Sequence, residues 1–354
     1  MSPRAIAFYL PQFHTTPEND EWWGKGYTEW TAATLATPLF NGHYQPHIPA
    51  DLGFYDLRVP ETRIAQADLA KEYGISGFCY YHYWFGGKRL LEQPFNEVLN
   101  SDEPKFGFCL CWANHDWTAA WHQKAKHILM KQPYPGMEDH RTHFYELLKA
   151  FTDDRYITVE GKPLFVIYHS QAIPGVRAVT DFWRELAIKE GLAGLYIVGV
   201  HQLAGWSPSD YGLDGAIMDR LPSIKTSAMN NSWGRKVFSL LQKKKSPIIH
   251  SYESVSEKLI LKDKPPFQSF PCIIPNWDNT PRYGANGIVL HNSTPELFKG
   301  QIKSAIQYVS SEPTERQLIF IKAWNEWGEG NHLEPDIKFG KAYLEVIKQA
   351  LESE

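Results

Sequence analysis

Short apolar, β-branched or aromatic runs alternate along the chain with amphipathic stretches. The runs that read as strands cover residues 5–10, 76–82, 106–112, 164–168, 195–200, 214–218, 272–275 and 318–323. Helical spacing falls between them. One stretch starts at Pro60, in a first-turn position, and stops at Gly74; others cover about residues 140–151, 178–191, 295–310 and 340–351. The later strands are nearly continuous apolar runs, as expected of parallel strands covered on both faces. Eight strands with intervening helices over 354 residues predict an α/β chain with one (β/α)8 barrel, its long loops at the C-terminal ends of the strands. A doubly wound sheet fits less well, because Pro11 and not a glycine-rich phosphate turn follows the first strand.

No internal repeat, low-complexity tract or Pro/Gly/Ser linker divides the chain, so residues 1–354 read as one catalytic barrel. The segment 15–54 is long, aromatic and poor in regular pattern, which in a compact domain marks a functional loop or a cap. The basic run Lys243-Lys244-Lys245 reads as solvated surface.

Composition narrows the class. Apolar residues make 43% of the chain and charged ones 21%, which excludes disorder. The formal net charge of −4 argues against a protein that binds nucleic acid by neutralising phosphates. No run of about 18 apolar residues exists to span a membrane, and the start of the chain is too short in apolar residues for a secretory leader. A cytoplasmic protein is expected. The four cysteines, Cys79, Cys109, Cys111 and Cys272, sit in or beside apolar runs without zinc spacing and read as reduced, buried thiols.

Aromatic residues are 14% of the chain, and Trp84, Trp112, Trp117, Trp121, Trp277, Trp324 and Trp327 all follow strand-like runs. Strand ends are where a barrel places its reacting groups. Here they carry Tyr9 and Gln12 with His14, then His82 and Trp84, then Trp112, Asn114, His115, Asp116 and Trp117. Further along come His169, His201 and Gln202, then Trp277 with Arg282, and last Trp324-Asn325-Glu326-Trp327-Gly328-Glu329-Gly330. Glycosidic cleavage needs one carboxylic acid to protonate the leaving oxygen and a second carboxylate as base or nucleophile. Glu326 and Glu329, three apart on a glycine-containing turn after a strand, can aim into one cleft, with tryptophans as sugar platforms. Close carboxylates repel, so one should have a raised pKa, which suits an acid. A bare acid pair of this spacing is otherwise an ordinary helix start, favoured by the dipole.

Other chemistries find less support. Barrel metallohydrolases carry a His-x-His pair after the first strand, where this chain has Gln12-Phe13-His14, so no metal and no cofactor is expected. No Gly-x-Ser-x-Gly elbow, Walker loop or GxGxxG turn is present.

The opening Ala7-Phe8-Tyr9-Leu10-Pro11-Gln12-Phe13-His14, Trp22-Trp23-Gly24, Tyr27-Thr28-Glu29-Trp30 and the run from Gly77 to Trp84 resemble WbsX-type proteins. So do Trp112-Ala113-Asn114, the closing acid-bearing segment and Leu333-Glu334-Pro335. These proteins are similar to glycoside hydrolase family 99, the endo-α-mannosidases and endo-α-mannanases. The resemblance implies a retaining reaction through a 1,2-anhydro sugar. Glu326 would deprotonate or hold the sugar 2-hydroxyl, and Glu329 would protonate the leaving group and later activate water. Gly328 departs from the pattern, since the endomannosidases often carry His there.

The reading is therefore an enzyme acting on an oligo- or polysaccharide through Glu326 and Glu329. Trp84, Trp112, Trp117, Trp277 and Trp327 are expected sugar platforms. Tyr9, Gln12, His82, Asn114, Asp116, Arg282 and Asn325 are expected hydroxyl partners. Glu326, Glu329, Tyr9, His82 and Trp112 should face one cleft. A glycosyltransferase using an activated donor and a non-catalytic glycan-binding protein are the rival readings.

Overall fold

The computed structural model describes residues 2–119, 127–201, 205–221, 246–260 and 262–353. Trp121, Gln202 and Lys243-Lys244-Lys245 lie outside them. Eight parallel strands form the centre: β1 (Arg4–Tyr9), β2 (Ile75–Phe85), β3 (Gly107–Trp112), β4 (Lys162–Ile167), β5 (Tyr196–Val200), β6 (Gly215–Met218), β7 (Ser269–Ile273) and β8 (Leu318–Ile321). Each pairs with the next in sequence, and β8 pairs back onto β1 with Ile6 opposite Phe320, so the sheet closes into a (β/α)8 barrel. Nearly every strand residue is buried, which is why the runs are apolar throughout.

Among the described residues the α-helices are α1 (Pro17–Trp23), α2 (Glu29–Thr34), α3 (Pro60–Glu72), α4 (Gln93–Asn100), α5 (Met137–Phe151), α6 (Val176–Lys189), α7 (Tyr252–Leu259), α8 (Thr280–Tyr283), α9 (Pro295–Val309) and α10 (Ala342–Glu352). Helix α6 buries Val176, Val179, Thr180, Trp183 and Ala187, the stripe an amphipathic helix lays on a barrel. Helix α9 starts where Thr294 Oγ1 accepts from the Leu297 N–H at 3.3 Å, with Pro295 in the first turn. The segment after β1 is less irregular than its sequence predicts, because α1 and α2 form within it. Thr16 caps α1 by accepting from Asn19 N–H at 3.1 Å.

Strand alternation decides which side chains see the barrel interior. Phe8, Cys79, Tyr81 and Cys111 share one side: Phe8 pairs with Cys79 and Tyr81 with Cys111 in register, and the Phe8 and Tyr81 rings stack at 5.5 Å. Their neighbours Tyr9, Tyr80, His82 and Trp112 point out into the helical layer. Tyr9 donates its hydroxyl to Gln66 of α3 at 2.7 Å, and Trp112 packs its ring on His143 of α5 and Trp183 of α6. All four cysteines are free and buried, with Cys79 opposite Cys109 across the β2–β3 ladder. No helix among the described residues is long and apolar enough to cross a membrane.

Candidate active site

A cleft of about 320 Å3 opens at the C-terminal ends of the strands. Glu326 and Glu329 both line it, together with Gln12, Tyr81, Tyr83, Tyr168, Trp277, Arg282 and Lys322. The acids are carried by a hairpin that follows β8. Asn325 and Glu326 pair antiparallel with His332 and Asn331, and Trp327–Glu329 forms a single 3-10 turn closed by Gly330 at φ +54°. A side chain at Gly330 would be strained at that angle, so glycine keeps the turn tight enough to aim both carboxylates one way.

The hairpin is held from behind. Asn325 Oδ1 accepts from Leu10 N–H at 2.8 Å and its Nδ2 donates to Leu10 O at 3.0 Å, clamping the end of β1. Trp327 lies stacked on His332 with 3.8 Å between centroids, and its Nε1–H donates to Glu334 at 2.6 Å. Tyr55 and Gln66 also donate to Glu334, whose carboxyl burial pushes up to about 7. The backbone N–H of Asp278 donates to Glu329 O at 2.7 Å. Burial works against ionisation of Asp278, but bonds from His43, Thr280 and Gln45 outweigh it and hold the group below its ordinary value.

Arg282, on α8, reaches three carboxylates. Its guanidinium lies 2.5 Å from Glu29, 3.2 Å from Glu326 and 2.9 Å from Glu329. Three acids around one cation would leave two uncompensated charges in a site where Glu29 is fully buried. A proton resolves the conflict. Burial and the neighbouring Glu329 raise Glu326 from an ordinary 4.5 to about 8, against the pull of Arg282. Burial raises Glu29 as well. Both shifts favour a proton within this cluster, and the family resemblance gives the acid's part to Glu329.

The opposite wall is built on Lys322, whose Nζ lies 2.6 Å from Asp219 and donates to the Tyr168 hydroxyl at 3.1 Å. Burial would discharge Lys322, but Asp219 reverses the effect and raises it well above its ordinary value. His115 and His169 also line the cleft, and burial holds both rings below their ordinary pKa, His169 at about 4.

Of the expected platforms and hydroxyl partners, the structure brings Gln12, Asp116, Trp117, Trp277 and Arg282 to the cleft. It does not bring the others. Tyr9, His82, Trp84 and Trp112 have the outward parity of their strands. His82 meets His143 at 2.8 Å on the wall of a separate polar cavity between α4 and α5. Trp84 stacks on His143 and donates its Nε1–H to Asp139. Asn114 bridges the ends of β3 and β4, donating to His169 O at 2.9 Å and accepting from His169 N–H at 2.8 Å. Asn325 and Trp327 are spent on the hairpin, as described above. The expectation that Tyr9, His82 and Trp112 share the cleft with the acids is therefore corrected. The acids and the aromatic cleft meet at the expected end of the barrel, but inward Tyr81 and Tyr83 stand where their neighbours were expected.

Tyr81, Tyr83, Tyr168, Lys322 and Glu29 were missed as site residues. Lys322 had a signal: a lone lysine inside an otherwise apolar strand end. Among the described residues, one group of three ligand-type side chains is close enough to share an ion, namely His47, His332 and Asp336, and it is not part of the cleft lining.

Residues 5–347 match the family described as glycosyltransferase WbsX. Two proteins of Xanthomonas campestris pv. campestris, from strain B100 and a second strain, both described as uncharacterized protein WxcX, are 34% identical to this chain over 98% of its length. The chain spans about half of these relatives, 49% of each. Two structures of the GH99 endo-alpha-mannosidase from Bacteroides thetaiotaomicron superpose with TM-scores of 0.58 and 0.59 at 15% identity. They cover 99% of this chain, with 96% and 97% of theirs covered in turn, and so share its fold. A structure described as a glycoside hydrolase-like protein has a TM-score of 0.56 at 16% identity, with 99% and 94% covered. Matched along nearly its whole length, the chain belongs to the WbsX glycosyltransferase family, a carbohydrate-active family.

Proposed function

We propose that the chain is one catalytic barrel that cleaves or transfers at a glycosidic bond of a bacterial surface polysaccharide, with Glu326 and Glu329 as the reacting pair. The observation that carries this reading is the pair itself: two carboxylates on one guanidinium in an aromatic-walled cleft at the mouth of the barrel. In the proposed retaining route the sugar O2 attacks C1 as Glu326 takes the 2-hydroxyl proton, and Glu329 protonates the departing oxygen. Water then opens the anhydro ring at C1, losing its proton to Glu329, while O2 recovers one from Glu326. Glu326 and Glu329 share one guanidinium, so a proton favoured on Glu326 at rest can pass to Glu329 when substrate is bound. Arg282 keeps both side chains aimed at one place as the proton moves. No metal enters this scheme.

Transfer from an activated sugar donor is the second reading, and the family's description favours it. Four free, buried thiols fit a reducing compartment, so the proposed place of action is the cytoplasm. The deciding experiment incubates purified chain with bacterial surface polysaccharides and with sugar-nucleotide donors, reading new reducing ends and donor consumption together. New reducing ends without donor support hydrolysis, donor loss supports transfer, and neither product rejects an enzymatic role.

A further inference from the structure

Behind the acid turn, the side chains of His47, His332 and Asp336 converge from two segments, the loop around residue 47 and the stretch 332–336. Their ligand-type atoms all lie within 4.8 Å of one another, and all three residues are buried. We propose that these residues bind a divalent transition-metal ion, zinc by the nature of the donors, which pins the hairpin carrying Glu326 and Glu329 to the loop around His47.

Each ligand is already oriented. His332 Nδ1 lies 2.9 Å from the Glu334 carbonyl oxygen and donates to it, which leaves the lone pair on Nε2. A carbonyl holding the far nitrogen of an imidazole is the usual support of a metal-binding histidine. The His332 ring is further fixed by the stacked Trp327. His47 lies stacked on Tyr44 with centroids 4.2 Å apart, and its Nδ1 faces His332 Nε2 at 2.9 Å. Asp336 Oδ1 accepts from the backbone N–H groups of Lys338 at 3.0 Å and Phe339 at 2.6 Å, so its carboxylate cannot swing away.

Two imidazoles and one carboxylate suit zinc, whereas magnesium and calcium prefer all-oxygen sites. Tetrahedral ligands at about 2.0–2.1 Å from zinc stand roughly 3.3 Å apart. The His47–His332 nitrogens need to separate by only a few tenths of an ångström to admit the ion. The proton that His47 Nδ1 shares with His332 moves to Nε2 of the same ring, so no net proton is released. A fourth position falls to water from the small cavity that borders His47, His332 and Asp336 beside Asn276 and Tyr343. The ion would act on the hairpin's position and not on substrate, since none of its ligands lines the cleft.

The test uses untagged full-length chain, stripped with EDTA and returned to metal-free buffer. Zinc chloride should restore one zinc per chain by elemental analysis and raise Tm by roughly 5 °C at saturating metal. Cobalt(II) should give intense visible d–d bands of a tetrahedral site. His47→Gln and Asp336→Asn, which keep volume and polarity, should each abolish stoichiometric uptake and the Tm rise, while His127→Gln, at an exposed histidine, should leave both intact. If either ligand variant fails to fold, the wild-type cobalt spectrum decides alone. Absence of zinc uptake and cobalt bands in the wild-type chain overturns the proposal. So does zinc uptake that survives both ligand substitutions.

Discussion

The Glu29 carboxylate occupies the space that a side chain at position 328 would need. A Cβ placed on Gly328 would overlap Glu29 Oε1 and sit 2.9 Å from Arg282 Nε. Glycine between the two acids therefore makes room for a third, which α2 brings in from the segment after β1. The Glu29–Arg282 pair fills the place of that side chain, and Arg282 spans the carboxylates of Glu326 and Glu329.

Gly328→Ala tests that relationship. The methyl must push Glu29 and Arg282 apart, an overpacking expected to destabilise the fold by about 1–3 kcal/mol. Misplacing Arg282 should lower kcat/KM by tenfold or more, because sub-ångström errors in aim are expensive in a preorganised site. Denaturant melts and steady-state rates check both. Wild-type values for the variant would mean that the packing around Glu29 is loose.

The raised carboxyl of Glu326 fixes a pH dependence. Its pKa is about 8 in the folded chain and near 4.5 when exposed, so between those values the folded state holds a proton that the unfolded state has lost. Its contribution to stability is therefore complete below about pH 4.5 and is lost as pH rises through 8. Glu326→Gln removes the titration. Relative to wild type, the variant should gain a few kcal/mol between roughly pH 5 and pH 9, read from urea midpoints at both pH values. A wild-type-minus-variant difference that stays flat across that range would show an ordinary, unshifted acid.

The proposed route needs one proton on the pair, held by Glu329 while Glu326 is ionised, so kcat/KM should fall on the alkaline side with an apparent pKa near 8 that belongs to the acid pair. The pH–rate profile of the wild-type chain measures this. A rate that climbs through the same range would mean that the reaction needs both carboxylates ionised, which the proposed route does not allow.

Place in the fold separates two tryptophans that the sequence treats alike: Trp112 ends β3 with its side chain outward, and Trp117 lies beyond it on a short strand paired with Ile128–Met130. Trp112 packs against Trp183 and His143, while Trp117 stands on the cleft wall. Trp112→Phe should reduce stability by about 1–3 kcal/mol and leave KM unchanged. Trp117→Ala should weaken glycan binding by about tenfold, which is 1.4 kcal/mol, with less effect on the melt. The reverse pattern would put the sugar against Trp112 and not in the cleft.

All eight barrel strands were legible, because buried parallel strands leave long apolar runs and helices between them carry their own period. The acid turn was legible too, since glutamates beside glycine at the end of an apolar run have few structural excuses. Parity was not. In a strand buried on both faces, Tyr80, Tyr81, His82 and Tyr83 all look alike, and a choice of alternate residues has no hydrophobic contrast to guide it. That is why the sequence points to Tyr9, His82, Trp84 and Trp112 as cleft residues in place of Tyr81 and Tyr83. Asn325 and Trp327 misled for another reason: they neighbour the acids in sequence, but their hydrogen bonds hold the hairpin's back. Glu29 could not be placed at all, because its partner Arg282 lies more than two hundred residues away and only the closed barrel joins them.

The central claim is that Glu329 delivers a proton to the leaving oxygen. It is tested most directly by comparing Glu329→Gln with wild type on two glycosides of the same sugar, one with a poor leaving group and one whose leaving group departs without protonation. The account predicts a fall of roughly 10²–10⁴-fold for the first and a much smaller loss in the bond-breaking step for the second. Equal losses on both substrates, or normal turnover of both, would contradict it.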